Sequence, residues 1–414
     1  MGCVRTTAMW GWGEREGREE DQFYAARDTH WPGTVLFSRR SACNGEVRVV
    51  QWGERWRSLD FNGVSQGIVK VTGSNPGGGA APEVLASQYL RVMAAAALGY
   101  GALNGLDPAG PNARFVFAGL GAGQLPHFLA HHFPAADVVV AEICPVVLEA
   151  NAVLRGETVE DVPDSNPDAG GVRTTIADAA AAMRSLERSR AACAVFLDAY
   201  DGEGDVPEHL TSSAFLGSCA RNLAPGGVVA ANLYNGAPGS EARAAVARVA
   251  GRMRENVGPV VSIGVDSSGG ENVVLVAGKG VHHASRGERG PIGEGHAGGG
   301  GAGEERRAVD VDVAATDWTA RPVGRIGRNG LGTAAGEVAA RAGFAWSAED
   351  AMELVKELYW VEVNADGSGF RELAAMDSGG GTNARGAFGQ VMRALRGTGG
   401  ATDGTASKTL YVDS

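Results

Sequence analysis

The stretch Arg114–Asn151, RFVFAGLGAGQLPHFLAHHFPAADVVVAEICPVVLEAN, decides how this chain is read. The apolar run Phe115 to Ala118 meets a glycine-rich turn, a helical pattern follows, and a second apolar run ends at the acid Glu142. That order is a β-α-β unit. Gly119, Gly121 and Gly123 can adopt backbone angles that a Cβ forbids, so a ligand can approach the main chain at the carboxyl end of the first strand. Glu142, about 20 residues on, stands where an acid accepts hydrogen bonds from ribose hydroxyls. A tight strand-to-helix turn also needs glycine without any ligand, so the turn alone does not establish a site. Its G-x-G-x-G spacing, with Gln124 where the dinucleotide fingerprint takes glycine or alanine, points away from a pyrophosphate and toward an adenosine bearing a sulfonium side chain.

On the N-terminal side, residues 1–32 are charged and irregular and read as a flexible arm. Residues 33–73 form a small β-rich domain. From Val35, short alternating runs are separated by Asn44-Gly45, Gly53 and Asn62-Gly63, the pattern of a hairpin or meander. Trp52, Trp56 and Phe61 read there as cross-strand packing. Pro82 to Leu98 has helical periodicity.

Beyond Asn151 the alternation continues. Val172–Ile176 leads into Asp178-Ala179, and the strand Ala194–Leu197 ends in Asp198. Helices over Ala180–Arg188, Ser213–Leu223 and Glu241–Asn256 interleave with the strand Val228–Leu233, and Val260–Val265 and Asn272–Ala277 make a closing antiparallel pair. Residues 82–279 therefore read as an α/β domain with a doubly wound, mostly parallel seven-stranded sheet, a Rossmann-like arrangement whose terminal hairpin is of the methyltransferase type. Residues 280–310 read as a Gly-rich linker, and its His282, His283 and His296 lack a cysteine or acid at ligand spacing, so no metal is expected. Residues 311–363 read as a short helical extension, with Ser347 and Asp350 opening a helix Ala348–Tyr359, and residues 364–414 as a disordered tail.

With 44% hydrophobic residues in 414, the chain can bury a sizeable core. The net charge of -11 argues against a general nucleic-acid binder. Five cysteines without a C-x-x-C pair suit a reducing compartment, and with no apolar run long enough to span a bilayer the expected location is cytoplasmic. Met1-Gly2-Cys3-Val4-Arg5-Thr6 fits an acylation pattern, Gly2 taking one lipid and Cys3 a second, but so short a motif arises by chance in a glycine-rich chain and the reading favours none.

Ligands of a doubly wound sheet lie outside the carboxyl ends of its strands. The cofactor-binding set expected there is Gly119, Gly121, Gly123, Glu142, Ile143, Asp178, Ala179 and Asp198: glycines for close approach, Glu142 for the ribose diol, Asp178 for the adenine amino group, and Asp198 beside the sulfonium. Asp178 and Asp201 could equally be helix N-caps. The catalytic set is Asp198, Tyr200 and Asp201, which would orient an amine and relay its proton.

VFAGLGAGQLPHFLAHHFP, VVVAEICP, IADA, FLDAYDGEGDVPEHLTSSAFL and NLAPGGVVAANL together resemble the spermidine synthase-like (polyamine aminopropyltransferase) branch of the S-adenosylmethionine-dependent methyltransferase superfamily, and VLFSRRSACNGEVRVVQ and RSLDFNGVSQ resemble its N-terminal β-domain. The resemblance spans about residues 33–278. It implies S-adenosylmethionine or its decarboxylated form as donor, Glu142 on ribose, Asp178 on the adenine edge, and Asp198 and Asp201 as the D-x-x-D pair that contacts an amine. This chain departs from the aminopropyltransferase pattern at Ala122, where that branch has an acid, at Gln88–Met93, which replaces a Tyr-His-Glu triplet, and at Ile143-Cys144, where a second acid is lost. The G-L-G-x-G-x-L-P turn and the Tyr-Leu-x-x-Met segment look more like the spermidine synthase-like domains of elongation-factor lysine methyltransferases. The expected activity is methyl transfer to a protein amine. Aminopropyl transfer to a polyamine is the alternative, a non-catalytic nucleoside-binding scaffold is the third reading, and a homodimer stays open.

Overall fold

A computed structural model describes residues 18–73, 78–158, 171–186, 190–201, 206–235, 240–267, 270–279, 328–354, 358–363 and 370–373. Its first element corrects the reading of residues 1–32 as a flexible arm, because Glu19–Thr29 is helix α1. Glu19, Glu20 and Asp21 occupy its first turn, where carboxylates meet the positive end of the helix dipole. Phe23 is 1% exposed and packs edge-on to Trp56 at 6.1 Å, and Lys70 Nζ reaches Glu19 at 2.9 Å. Gly2 and Cys3 lie outside the described residues.

Strands β1 (Thr34–Ser41), β2 (Gly45–Trp52), β3 (Trp56–Phe61) and β4 (Val64–Lys70) form an antiparallel meander in that order. Asn62 (φ 49°) and Gly63 (φ 85°) make the last turn, matching the preference of tight hairpins for residues that tolerate positive φ. The aromatic trio does pack, on two faces. Trp52 pairs with Trp56 in a cluster with Phe23, whereas Phe61 joins the core of the larger domain.

In the larger domain α2 (Gln88–Leu103), β5 (Arg114–Ala118), α3 (Gln124–His132), β6 (Asp137–Glu142), α4 (Pro145–Leu154), β7 (Val172–Ile176), α5 (Ala179–Ser185), β8 (Ala192–Leu197), α6 (Ser213–Asn222), β9 (Leu223–Tyr234), α7 (Glu241–Asn256), β10 (Val260–Ser267) and β11 (Gly270–Gly278) succeed one another. The sheet order across these strands is β10-β11-β9-β8-β5-β6-β7, with β9, β8, β5, β6 and β7 parallel and β11 antiparallel to both neighbours. This is the seven-stranded, doubly wound methyltransferase-type sheet. Its order reverses at β5, which lies between β6 and β8, and there the carboxyl ends leave a crevice. Buried Phe117 stacks on Phe196 and Phe115 tilts against it across the two central strands.

The C-terminal part departs from the single helix expected there, with an unforeseen helix before it and strands after it. Helix α8 (Arg328–Ala342) lies on α2 so closely that a Cβ on Gly99 would sit 2.7 Å from Leu331 O. Ser347 and Asp350 form the expected capping box, with Asp350 N 3.1 Å from Ser347 Oγ and Ser347 N 2.8 Å from Asp350 Oδ2. The helix it opens, α9, runs only Ala348–Leu354. Leu358–Val363 is instead strand β12, paired antiparallel to β10, and Phe370–Leu373, inside the segment read as a disordered tail, is β13 paired to β12. The aromatic and β-branched run LYWVEV suits a strand, and β10 would otherwise be an unprotected edge. The linker 280–310 and its histidines lie outside the described residues. Among those described, no helix is long and apolar enough to cross a membrane.

Candidate active site

A cavity of about 540 Å³ opens at the crevice, within the range of small-molecule sites. Gly121, Glu142, Asp178 and Asp198 line it from the sheet side, Gln66 from β4 and Glu20 from α1. Every expected site residue lies along it: Gly119, Gly123, Ile143, Ala179, Tyr200 and Asp201 complete the set.

The glycines do different work. At Gly119 (φ 95°) a Cβ would come within 2.6 Å of Asp198 O, and at Gly123 (φ 69°) within 2.5 Å of Asn151 Nδ2, so both are required by the protein's own packing. At Gly121 (φ 50°) a Cβ would meet nothing within 4 Å. The space beside it opens to the cleft, while its carbonyl accepts from Asn151 Nδ2 at 3.3 Å. The intervening Ala122 is buried against Gly67 of β4, where an added Cβ would approach the alanine methyl to 2.7 Å. Gln124 accepts from Ala86 N and Ser87 N through Oε1 and donates to Ser87 Oγ at 3.0 Å, which ties the turn to the start of α2.

Glu142 closes β6 with 6% of its surface exposed. Oε2 accepts from Leu120 N and Oε1 from Cys144 N, both at 2.8 Å, so one carboxylate braces the glycine turn and the turn after β6. Burial pushes its carboxyl up, against the pull of the N–H groups of Leu120, Cys144, Ile143 and Gly121. Next to it, the Ile143 side chain is 54% exposed at the cavity wall.

Across the cleft, Asp198 follows β8. Tyr89 Oη of α2 donates to its Oδ2 at 3.1 Å, and Asn232 Nδ2 of β9 donates to its Oδ1 at 3.0 Å. Asn272 Nδ2 of β11 donates in turn to Asn232 Oδ1 at 2.8 Å. Burial pushes the Asp198 carboxyl up, and the two donors restrain the shift. Tyr200 Oη donates to Asn232 O at 3.0 Å, and burial together with Asp198 raises its pKa. Tyr89, Asn232 and Asn272 are site residues that sequence reasoning missed. Tyr89 and Asn232 stand inside quoted motifs, but nothing local marks them as partners of Asp198.

Asp178 is the N-cap of α5, with Oδ1 accepting from Ala181 N at 2.8 Å, and it lines the cavity. Its Oδ2 lies 2.7 Å from His209 Nε2. Burial alone would raise the carboxyl, but the Ala181 N–H and His209 outweigh it and hold Asp178 below the usual range.

No family model matches the chain, and no curated protein matches its sequence. Solved structures similar to it include a probable spermidine synthase from Corynebacterium glutamicum (19% identity over 59% of this chain and 80% of that one, TM-score 0.44). The spermidine synthase from Thermotoga maritima is similar at 15% identity, 60% and 74% coverage and TM-score 0.41. Human methyltransferase-like protein 13, in complex with SAH, is similar at 19% identity, 48% and 83% coverage and TM-score 0.36.

Proposed function

We propose that the chain is a group transferase using a sulfonium nucleoside of the S-adenosylmethionine type, and that it methylates an amine, a protein amine in the leading reading. One observation carries this: Gly121, with open space where a side chain would stand, the buried Glu142 carboxylate and Asp198 face a single cavity of about 540 Å³. The residues fit such a donor. The Glu142 carboxylate lines the cavity where a ribose diol would lie, exposed Ile143 offers a face for a planar base, and Asp178 and Ala179 stand where the base edge would lie.

Bound there, S-adenosylmethionine would supply an electrophilic carbon and a neutral thioether leaving group. Asp198 balances positive charge in a cleft of low dielectric and orients the amine. Its raised pKa suits Oδ2 to take the proton the amine must lose before attack, while Tyr89 and Asn232 hold the carboxylate in place. Asp201, on the same wall, is the second acid toward the acceptor.

Aminopropyl transfer from decarboxylated S-adenosylmethionine is the second reading, favoured by five acids along the cavity, Glu20, Glu142, Asp178, Asp198 and Asp201. Against it, Ala122 presents a methyl group to Gly67 where the resemblance would require an acid. Incubation with both donors, isotopically labelled in the transferred group, separates them. Label from the methyl donor in protein amines, lost with Asp198→Asn, supports methyl transfer. Aminopropyl transfer to putrescine at an enzymatic rate overturns it, and nucleoside binding with transfer of neither group leaves the scaffold.

A further inference from the structure

Two thiols that the transfer chemistry does not use meet where the small β-domain touches the nucleoside corner. Cys43 lies in the turn between β1 and β2, exposed and on the cavity wall beside Asn44. Cys144 is the N-cap of α4, just after Glu142 and Ile143, and is fully buried. One atom joins them: Ser41 Oγ lies 3.0 Å from Cys144 Sγ and accepts from Cys43 N, also at 3.0 Å. The two side chains therefore stand around a single hydroxyl, and the Cys144 thiol is close enough to act on the Cys43 thiol both as a charge and as a hydrogen-bonding group. The small domain need not move for them to meet. Arg39 of β1 forms an ion pair with Glu149 of α4, and Arg57 Nη1 of β3 donates to Val153 O at 3.1 Å and to Leu154 O at 2.9 Å, at the end of the same helix. With β1, β3 and α4 already pinned together, a bond between the sulfurs asks for local rotation and not for domain closure.

We propose that Cys43 and Cys144 form a redox site, joined as a disulfide by an oxidant of the peroxide class and parted again by thiols. In the first step Cys43, the accessible thiol, attacks a peroxide oxygen as its thiolate. The S–O bond forms, the O–O bond breaks, and the departing oxygen takes up protons to leave as water. In the second step the Cys144 sulfur attacks the sulfenic sulfur of Cys43. The S–S bond forms, the S–O bond breaks, and a second water leaves. Two thiols and one hydrogen peroxide thus give one disulfide and two waters, the sulfurs losing the two electrons that the peroxide gains. Partial burial and, after it, Cys144 push the Cys43 thiol up, so little thiolate is present at neutral pH and the pair answers sustained oxidant, not a brief pulse. The consequence falls on the nucleoside corner. Cys144 N donates to Glu142 Oε1 at 2.8 Å, and Ile143 between them faces the cavity. Turning Cys144 Sγ from Ser41 toward Cys43 pulls on that turn, so oxidation weakens nucleoside binding. This consequence, unlike the bond itself, rests on the transferase reading.

The test is titration of the reduced full chain with hydrogen peroxide, read by intact mass, by peptide mapping without reductant, and by calorimetry with S-adenosylhomocysteine. The wild type should lose two hydrogens and yield a peptide linking Cys43 to Cys144. It should then bind S-adenosylhomocysteine about fivefold or more weakly, and dithiothreitol should restore both mass and affinity. Cys43→Ser, a change at an exposed turn, should bind S-adenosylhomocysteine as the reduced wild type does and keep that affinity in peroxide. Cys144→Ser should leave Cys43 without a resolving thiol, so that it proceeds to the sulfinic acid. Recovery of Cys43 as a sulfinic acid in the wild type, its linkage to Cys3, Cys193 or Cys219 instead, or no linkage at any peroxide concentration that leaves the chain folded overturns the site. Linkage with unchanged affinity overturns its control of the nucleoside. If the reduced chain binds no S-adenosylhomocysteine, the transferase reading falls, and the linkage, read by mass, still decides the disulfide. Melting temperatures of the variants check that the fold is intact.

Discussion

The two corners of the cleft are built in opposite ways. The Glu142 corner comes from one contiguous unit, β5 through the start of α4, and its bonds run from a side chain to backbone N–H groups of Leu120 and Cys144. The Asp198 corner comes from four separate elements, and its bonds run from side chain to side chain through Tyr89, Asn232 and Asn272. A local corner is held by chain geometry and survives changes elsewhere. An assembled corner depends on α2, β8, β9 and β11 arriving together, which makes it tunable and fragile. Binding is assigned to the first corner and chemistry to the second.

The change that would break this division most sharply is Asp198→Asn. It should lower turnover by about 10²- to 10⁴-fold, the range for losing a positioned acid–base group. S-adenosylhomocysteine, which carries no sulfonium charge, should bind with little change. Steady-state kinetics with calorimetry checks it, and comparable losses in turnover and in S-adenosylhomocysteine affinity would show that the corners do not divide the work.

The same contrast explains what was legible in the sequence. The glycine turn, Glu142 and the alternation of strands and helices are patterns within short windows, where period and turn chemistry speak directly. The Tyr89–Asp198 bond joins residues 109 apart, and no local rule ties a tyrosine at a helix start to an acid after β8. Glu20 was hidden more deeply. Its helix has few apolar residues, and its ordering depends on Phe23 finding Trp56, a contact made only once the meander is folded. β12 was obscured because a sound capping box at Ser347 invited a longer helix, while the reason for a strand, an open edge on β10, exists only in the assembled sheet.

The two glycines that flank Glu142's partner Leu120 sharpen the comparison from the other side. Gly119→Ala forces a Cβ onto Asp198 O at positive φ and should destabilise the chain by about 3 kcal/mol, combining left-handed strain with overpacking. Gly121→Ala meets no atom, so it should cost only about 1 to 2 kcal/mol of stability while pushing a methyl into the cleft and weakening nucleoside binding. Denaturant unfolding and calorimetry on both variants decide. Equal stability losses would mean that Gly121 is as enclosed as Gly119.

A smaller effect is expected from Tyr89→Phe, read as a pH profile. Asp198 has its pKa raised in the folded chain, so relative to the unfolded chain it takes up its proton earlier on acidification. Its ionised form costs stability above that raised pKa, and the cost vanishes below the unfolded value. A sulfonium gains only from the ionised form, so S-adenosylmethionine affinity should fall as pH drops through the raised range, while S-adenosylhomocysteine affinity stays flatter. Tyr89 donates to the ionised carboxylate and holds the pKa down, so removing its hydroxyl should move the acid limb to higher pH. An unmoved limb would detach Asp198 from the charge it is assigned to balance.

The smallest effect should come at Asp178, which sits between the two kinds of construction. Like Glu142 it is braced by a local backbone N–H, of Ala181, and like Asp198 it meets a distant side chain, His209. Asp178→Asn keeps an oxygen for the cap and removes only the charge. With the side chain 34% exposed, that charge is screened, and the stability change should stay below about 1 kcal/mol. Its sign follows from a depressed carboxyl: the contribution is present above the ordinary carboxylate range and is lost as pH falls through the lower folded value. Nucleoside affinity is the more telling readout. If the acid's role toward the base edge is real, an amide that can turn its oxygen to the cap must offer the wrong group to an adenine amino donor, so binding weakens although the fold does not; unchanged affinity would reduce Asp178 to the cap of α5.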